Sequence, residues 1–128
     1  MITSLTTDFI IRLKNSALAG KKSFKAPMSK FNQNLAETLK RNGYVTDYAV
    51  SEDTRTLSVT FALNNDEPKV TGVKLFSKPG RRWYGTALSL PWGQSKESLI
   101  IISTSSGVMS QREAKKKGIG GEIIAEIY

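Results

Sequence analysis

Residues 99–110 read LIIISTSSGVMS, and the reading of this stretch decides the fold. An amphipathic strand alternates apolar and polar residues. Here four aliphatic residues follow one another, a leucine and then three β-branched isoleucines. Such a short apolar run is the pattern of a strand covered on both faces. It ends abruptly in hydroxyls and a glycine at 103–107, which marks a loop where the strand leaves the core. A strand covered on both faces needs partners on either side and a layer above and below it, so the rest of the chain is read for those.

Downstream, Ser110 and Glu113 form an S-x-x-E capping box that starts a short helix, which runs through Lys117 and stops at Gly118. The segment GEIIAEIY (121–128) reads as a further strand with Ile123, Ala125 and Ile127 on one face. Upstream, 70–76 reads as a strand, 77–82 as a turn, and 83–85 as a short extended piece. Further upstream, 56–63 alternates cleanly, with Leu57, Val59, Phe61 and Leu63 inward, and pairs across a turn at 51–54 with a strand at 44–50. Two helices precede these strands. One spans 6–18, capped by Thr6 or Thr7, with Asp8 in its first turn and Phe9, Leu13 and Ala17 on its inner face. The other is capped by Ser29 and runs to about Asn42, with Phe31, Leu35 and Leu39 inward and Gly43 as its left-handed stop. The stretch 19–25 between them reads as a basic loop. The polar, proline-bearing stretch 64–69 is the best boundary. The expectation is an α+β fold. A small N-terminal α/β domain of two helices and about three strands (1–66) packs on a mostly β C-terminal domain with one short helix (67–128).

The chain has 128 residues, 39% of them hydrophobic, which is enough for a folded core. Lys and Arg number 19 against 11 Asp and Glu, a net charge of +8, and a small domain this cationic attracts polyanions, nucleic acid first among them. There is no Cys and no His. That excludes disulfides, thiolate or imidazole metal sites and catalysis by Ser-His-Asp or Cys-His groups, so neither metal nor cofactor is expected. No apolar run approaches the roughly 20 residues of a membrane span, and the first ten residues lack the pattern of a secretory signal. AGKKS (19–23) is not a phosphate loop, because Asn15 stands where the pattern requires glycine. GIGGE (118–122) leads into a strand with Ile123 at the third glycine position, so it is not a dinucleotide fingerprint.

Two features remain. Lys115, Lys116 and Lys117 close the short helix, where they complement its dipole, and the glycines just after them let the backbone approach an anion closely. The hydroxyls of STSSG either satisfy their own turn or match the 2′-hydroxyls, base edges and phosphates of an RNA minor groove. Spacing alone leaves both readings open.

At this point the chain resembles a known family. STSSGVMS with GIGGEII (118–124) is similar to the C-terminal signature of the bacterial small-ribosomal-subunit protein eight family. SKPGRRWY (77–84), DFIIRLKN (8–15) and MSK (28–30) resemble further segments of it, so the likeness covers nearly the whole chain. The resemblance implies a two-domain α/β protein that binds the central domain of small-subunit ribosomal RNA in the cytoplasm, alongside neighbouring ribosomal proteins and away from membranes. Matched by position, Ser103, Thr104, Ser105 and Gly107 would be RNA contacts, followed by Gly120, Gly121 and Glu122, with Tyr84 and Lys30 as further candidates. Lys116 joins them as a phosphate partner by its charge. Some bacterial members of that family also repress translation by binding the messenger RNA of their own operon, and the resemblance leaves that role as an alternative. A serine hydrolase built on Ser103 or Ser105 is the enzyme alternative, and it lacks a recognisable base. The sequence departs from the family pattern at Ser4-Leu5 and at Lys96 and Ser98, which leaves the role of 92–98 open while offering Lys96 as another phosphate partner.

Overall fold

A computed structural model describes residues 4–78, 80–90 and 98–128. Lys96 and the remainder of the 92–97 stretch lie outside the described residues.

In the first half, α1 (Ser4–Leu18) and α2 (Lys30–Arg41) lie on an antiparallel sheet of β1 (Ser23–Pro27), β3 (Thr56–Phe61) and β2 (Val45–Ser51), with β3 central. Leu57, Val59 and Phe61 are buried and meet Phe24 and Ala26 of β1 and Phe9, Ile10 and Leu13 of α1 in one core. Phe9 and Phe24 stand edge to face at 5.4 Å. Removing a side chain of this size from water contributes roughly 1.5–3 kcal/mol. α2 forms because Leu35, Ala36 and Leu39 recur on one face and Ser29 caps it, accepting from the Asn32 N–H. Asn42 ends it, and Gly43 follows at φ +82°. On α2, Glu37 accepts from the Tyr48 hydroxyl of β2 at 2.8 Å, and this carboxylate raises the phenol above its usual pKa.

Three expectations in this half are corrected. The supposed basic loop contains β1, an edge strand whose outward positions are Ser23 and Lys25, so only Phe24 and Ala26 carry the alternation. Leu63 is 43% exposed, because β3 ends at Phe61 and the chain turns away. α1 begins at Ser4, so Thr6 and Thr7 lie within the helix rather than capping it.

The 64–69 stretch is a miniature hairpin of β4 (Leu63–Asn64) and β5 (Glu67–Pro68). Its two turn residues, Asn65 and Asp66, both have positive φ, the pattern of a type I′ turn.

In the second half, β10 (Gly121–Ile127) lies between β6 (Val73–Leu75) and β8 (Leu99–Thr104), with β9 (Gly107–Ser110) beyond β8 and β7 (Tyr84–Gly85) pairing with the start of β10. β8 is covered on both faces, as its apolar run requires. Leu99 and Ile101 join the main core with the first half, while Ile100 and Ile102 pack with Met109, Ile123, Leu90 and Ala114 of α3 (Gln111–Lys117). The main core therefore draws on both halves of the chain, and α2 packs on β9 as well as on β2.

Ser110 caps α3 by accepting from the Glu113 N–H at 3.2 Å, and Gly118 closes it at φ +71°. Buried Gln111 locks α3 to β8: its Oε1 accepts from the Ile100 N–H at 2.8 Å, and its Nε2 donates to the Ser98 carbonyl at 3.0 Å. Two expectations change here. The 103–107 stretch is only partly loop: Ser103 and Thr104 end β8, and Gly107 opens β9, which runs to Ser110. In β10, the register shifts between Ile123 and Ala125. Ile123 therefore belongs to the second core, while Ile124, Ala125 and Ile127 fill the first. No helix among the described residues is long and apolar enough to cross a membrane.

Candidate nucleic-acid interface

The hydroxyl-rich stretch is the tip of a hairpin. Ser103 and Thr104 end β8, Ser105 and Ser106 make the turn, and Gly107 opens β9 opposite Thr104. Gly107 has φ +118°, which L side chains rarely adopt. The Thr104 hydroxyl donates to the Gly107 carbonyl at 2.8 Å and accepts from the Ser106 N–H at 3.1 Å, so this hydroxyl serves its own turn. Ser105 is exposed at the tip, and Ser103 is half-buried.

Strand pairing aligns four residues across the sheet: Tyr84 opposite Glu122, Glu122 opposite Ser103, and Ser103 opposite Val108. Residues directly opposite in antiparallel strands share a face. Tyr84, Glu122 and Ser103 therefore occupy one row, with Tyr84 68% exposed at its outer end. Glu122 is only 4% exposed, and its carboxylate faces the Arg82 guanidinium at 3.4 Å. The carboxylate holds Arg82 in place beside Tyr84.

One residue further toward the sheet end, Gly85 pairs with Gly121. A Cβ on Gly120 would run into the Gly85 carbonyl oxygen, and one on Gly121 would run into the Ser103 carbonyl oxygen. These glycines let three strands close up, leaving a nearly bare backbone strip beside the hydroxyls. Lys116 is exposed on the last turn of α3, just before the chain enters this strip through Gly118–Gly120. The structure thus brings together the eight candidates of β7, the β8–β9 hairpin and the 120–122 segment, with Lys116 flanking them.

Lys30 stands apart. It is the first residue of α2, next to the turn where Asn32 donates to the Leu5 and Pro27 carbonyls. Thr38, which meets Val108 of β9, lies eight residues further along α2, about 12 Å of helix. Sequence reading missed Arg82 and Trp83 as members of this neighbourhood, although both sit in the quoted SKPGRRWY segment. Their signal was the clustering of cations and aromatics, which only the turn at 78–81 makes spatial. Among the described residues, no group of three or more acidic side chains could hold a metal ion.

Fold and site together define a cationic α+β protein with a polar, glycine-lined sheet end. The family model described as "Ribosomal protein S8" matches residues 5–128. The chain is 41% identical over 130 residues to the small ribosomal subunit protein uS8 of Bifidobacterium longum subsp. infantis, covering 99% of this chain and 98% of that one. It is 35% identical to the protein of the same name from Lactobacillus delbrueckii subsp. bulgaricus, covering 100% and 99%, and 35% identical to that of Mycoplasma mobile, covering 100% and 98%. The chain belongs to the ribosomal protein S8 family, a family of structural proteins rather than enzymes.

Proposed function

We propose that the protein is a structural constituent of the small ribosomal subunit and binds ribosomal RNA directly, through the end of the five-stranded sheet. The family supports the first part. The observation that carries the second is the row from Tyr84 through Glu122 to Ser103, continued by the exposed Ser105 tip and the glycine strip at Gly120 and Gly121. Small hydroxyls and bare backbone on the sheet can follow an RNA minor groove closely, and the exposed Lys116 supplies charge for phosphate. An irregular RNA helix in the central domain is the proposed target, and neighbouring ribosomal proteins and the cytoplasmic ribosome follow from it. The same surface would serve in repressing the operon messenger if that RNA carries a similar helix. The enzyme alternative, a serine hydrolase on Ser103 or Ser105, is tested with a serine-directed phosphonate probe, which an RNA-contact serine should not take up.

The division into 1–66 and 67–128 is also a proposal. Separate sheets on either side of the β4–β5 hairpin support it, while the main core joins the two units. A 67–128 fragment is expected to keep part of the RNA affinity; a 1–66 fragment holding all of it would put the site in the wrong half.

Ser105→Ala tests the site itself. Loss of a hydroxyl that pairs with RNA in a desolvated contact should cost about 1–3 kcal/mol for the irregular helix, with little change for unrelated RNA or in the salt dependence. If melting temperature falls while the folded protein binds as before, the hydroxyl only serves its turn and the tip is not a contact.

A further inference from the structure

Next to Tyr84 in the sequence, Trp83 belongs to a second feature that the proposed helix contact does not use. Trp83 is 43% exposed, although its neighbours hold it firmly. The buried Ser77 hydroxyl accepts from the Trp83 N–H at 2.9 Å and donates to the Ile123 carbonyl at 2.7 Å. The Trp83 carbonyl accepts from the Ile123 N–H at 2.9 Å. Lys78 and Arg81 exchange two backbone hydrogen bonds of 2.9 Å and so fix the preceding turn. The indole stands 5.7 Å from the Phe76 ring, with the Arg81 guanidinium 5.8 Å from its centroid and the Lys74 ammonium 5.3 Å from that of Phe76. With Lys78 these side chains line a depression of about 220 Å³, and no acidic residue lines it.

That volume is below the usual range for a drug-sized ligand, roughly 300–1,000 Å³, and suits a single ring system. An exposed aromatic whose backbone is tied to a sheet, with cations beside it, is the arrangement that stacks an unpaired base and meets its phosphate. We propose that the Phe76–Trp83 platform binds one unpaired nucleotide of RNA, its base against the indole and its phosphate on Lys78 or Arg81. The inference rests on the RNA-binding reading above and adds to it a separate contact for single-stranded RNA, adjoining the helix-reading row.

The chain has two tryptophans, so a Trp92→Phe background leaves Trp83 as its only indole. Three RNA probes are titrated: heptauridylate, a hairpin with a uridine bulge, and the fully paired form of the same hairpin. Heparin serves as an anion without bases. Quenching of Trp83 emission by the first two, and not by the paired hairpin or heparin, is expected. Trp83→Leu should weaken heptauridylate binding about 5- to 150-fold and Trp83→Phe much less, with paired-hairpin affinity unchanged. Photocrosslinking of 5-bromouridine heptamer to the unsubstituted protein, mapped by peptide, should identify Trp83 whether or not the background variant folds. Binding of the bulged hairpin without a change in emission and without a crosslink at Trp83 overturns this proposal alone. An equal loss for all three RNAs on Trp83→Leu also overturns it. Failure of every RNA to bind overturns both this contact and the RNA-binding reading.

Discussion

Gly121 lies against the carbonyl of Ser103 so closely that a side chain at position 121 has no room; a Cβ there would also press on the Thr104 Cα at 3.2 Å. The glycine is thus a condition for β10 to reach the end of β8, and through it for Tyr84, Glu122 and Ser103 to share a row. Backbone atoms cannot swing aside as a flexible side chain can. Gly121→Ala is expected to cost about 1–3 kcal/mol or more in urea unfolding, and the folded fraction should bind RNA less well. Gly118→Ala serves as a contrast. A Cβ there meets nothing within 4 Å, so only the left-handed backbone resists it, at roughly 1–2 kcal/mol, and RNA affinity should stay. A Gly121→Ala protein as stable as the parent would show that the strands can separate there without consequence.

Gln111 supplies the second prediction. Its amide is fully buried and bridges α3 to the start of β8. Gln111→Leu keeps a similar volume but leaves the Ile100 N–H without its acceptor, which should cost about 1–3 kcal/mol. Denaturation midpoints measure this. A change within a few tenths of a kcal/mol would mean that the strand amide finds another partner.

Lys116 tests the electrostatic half of the interface. Lys116→Ala should weaken cognate and unrelated RNA alike and lower the slope of log affinity against log salt by about one unit or slightly less, because one fewer phosphate is neutralised. Stability should change little, since the side chain is exposed. An unaltered slope would remove Lys116 from the interface.

Much of this architecture was legible before any coordinates. Ser29 with Gly43, and Ser110 with Glu113 and Gly118, are local capping signals, and all of them stand at helix ends in the structure. The apolar run of β8 declared both its type and its double coverage. What escaped was whatever depended on distant partners. β1 offers only Phe24 and Ala26, and pairing with β3 makes it a strand. The 103–107 stretch read as a loop because its hydroxyls and glycine are turn residues; pairing of Ser103 with Val108 and Thr104 with Gly107 makes part of it strand. The irregularity in β10 is invisible in GEIIAEIY, where Ile123, Ala125 and Ile127 alternate on paper, yet two separate cores claim them. At the interface, residue types pointed to the right hairpin. The use of the Thr104 hydroxyl within its own turn, the burial of Glu122 and the nearness of Trp83 came only from pairing register.

The position of β10 also bears on how the chain is made. It follows every other strand of its sheet in the sequence, yet it sits between β6 and β8 and also holds β7. As synthesis proceeds from the N-terminus, β6, β7 and β8 emerge before the strand that joins them. The β8–β9 hairpin can close early from local contacts, but one long edge of β8, with Leu99 through Ile102, has no partner until Gly121–Ile127 has been added. Non-local closure of this kind is slow, and an apolar strand with an open edge is prone to pair with the wrong chain. Until Gly121–Ile127 pairs with it, that edge of β8 is an apolar strand edge open to another chain.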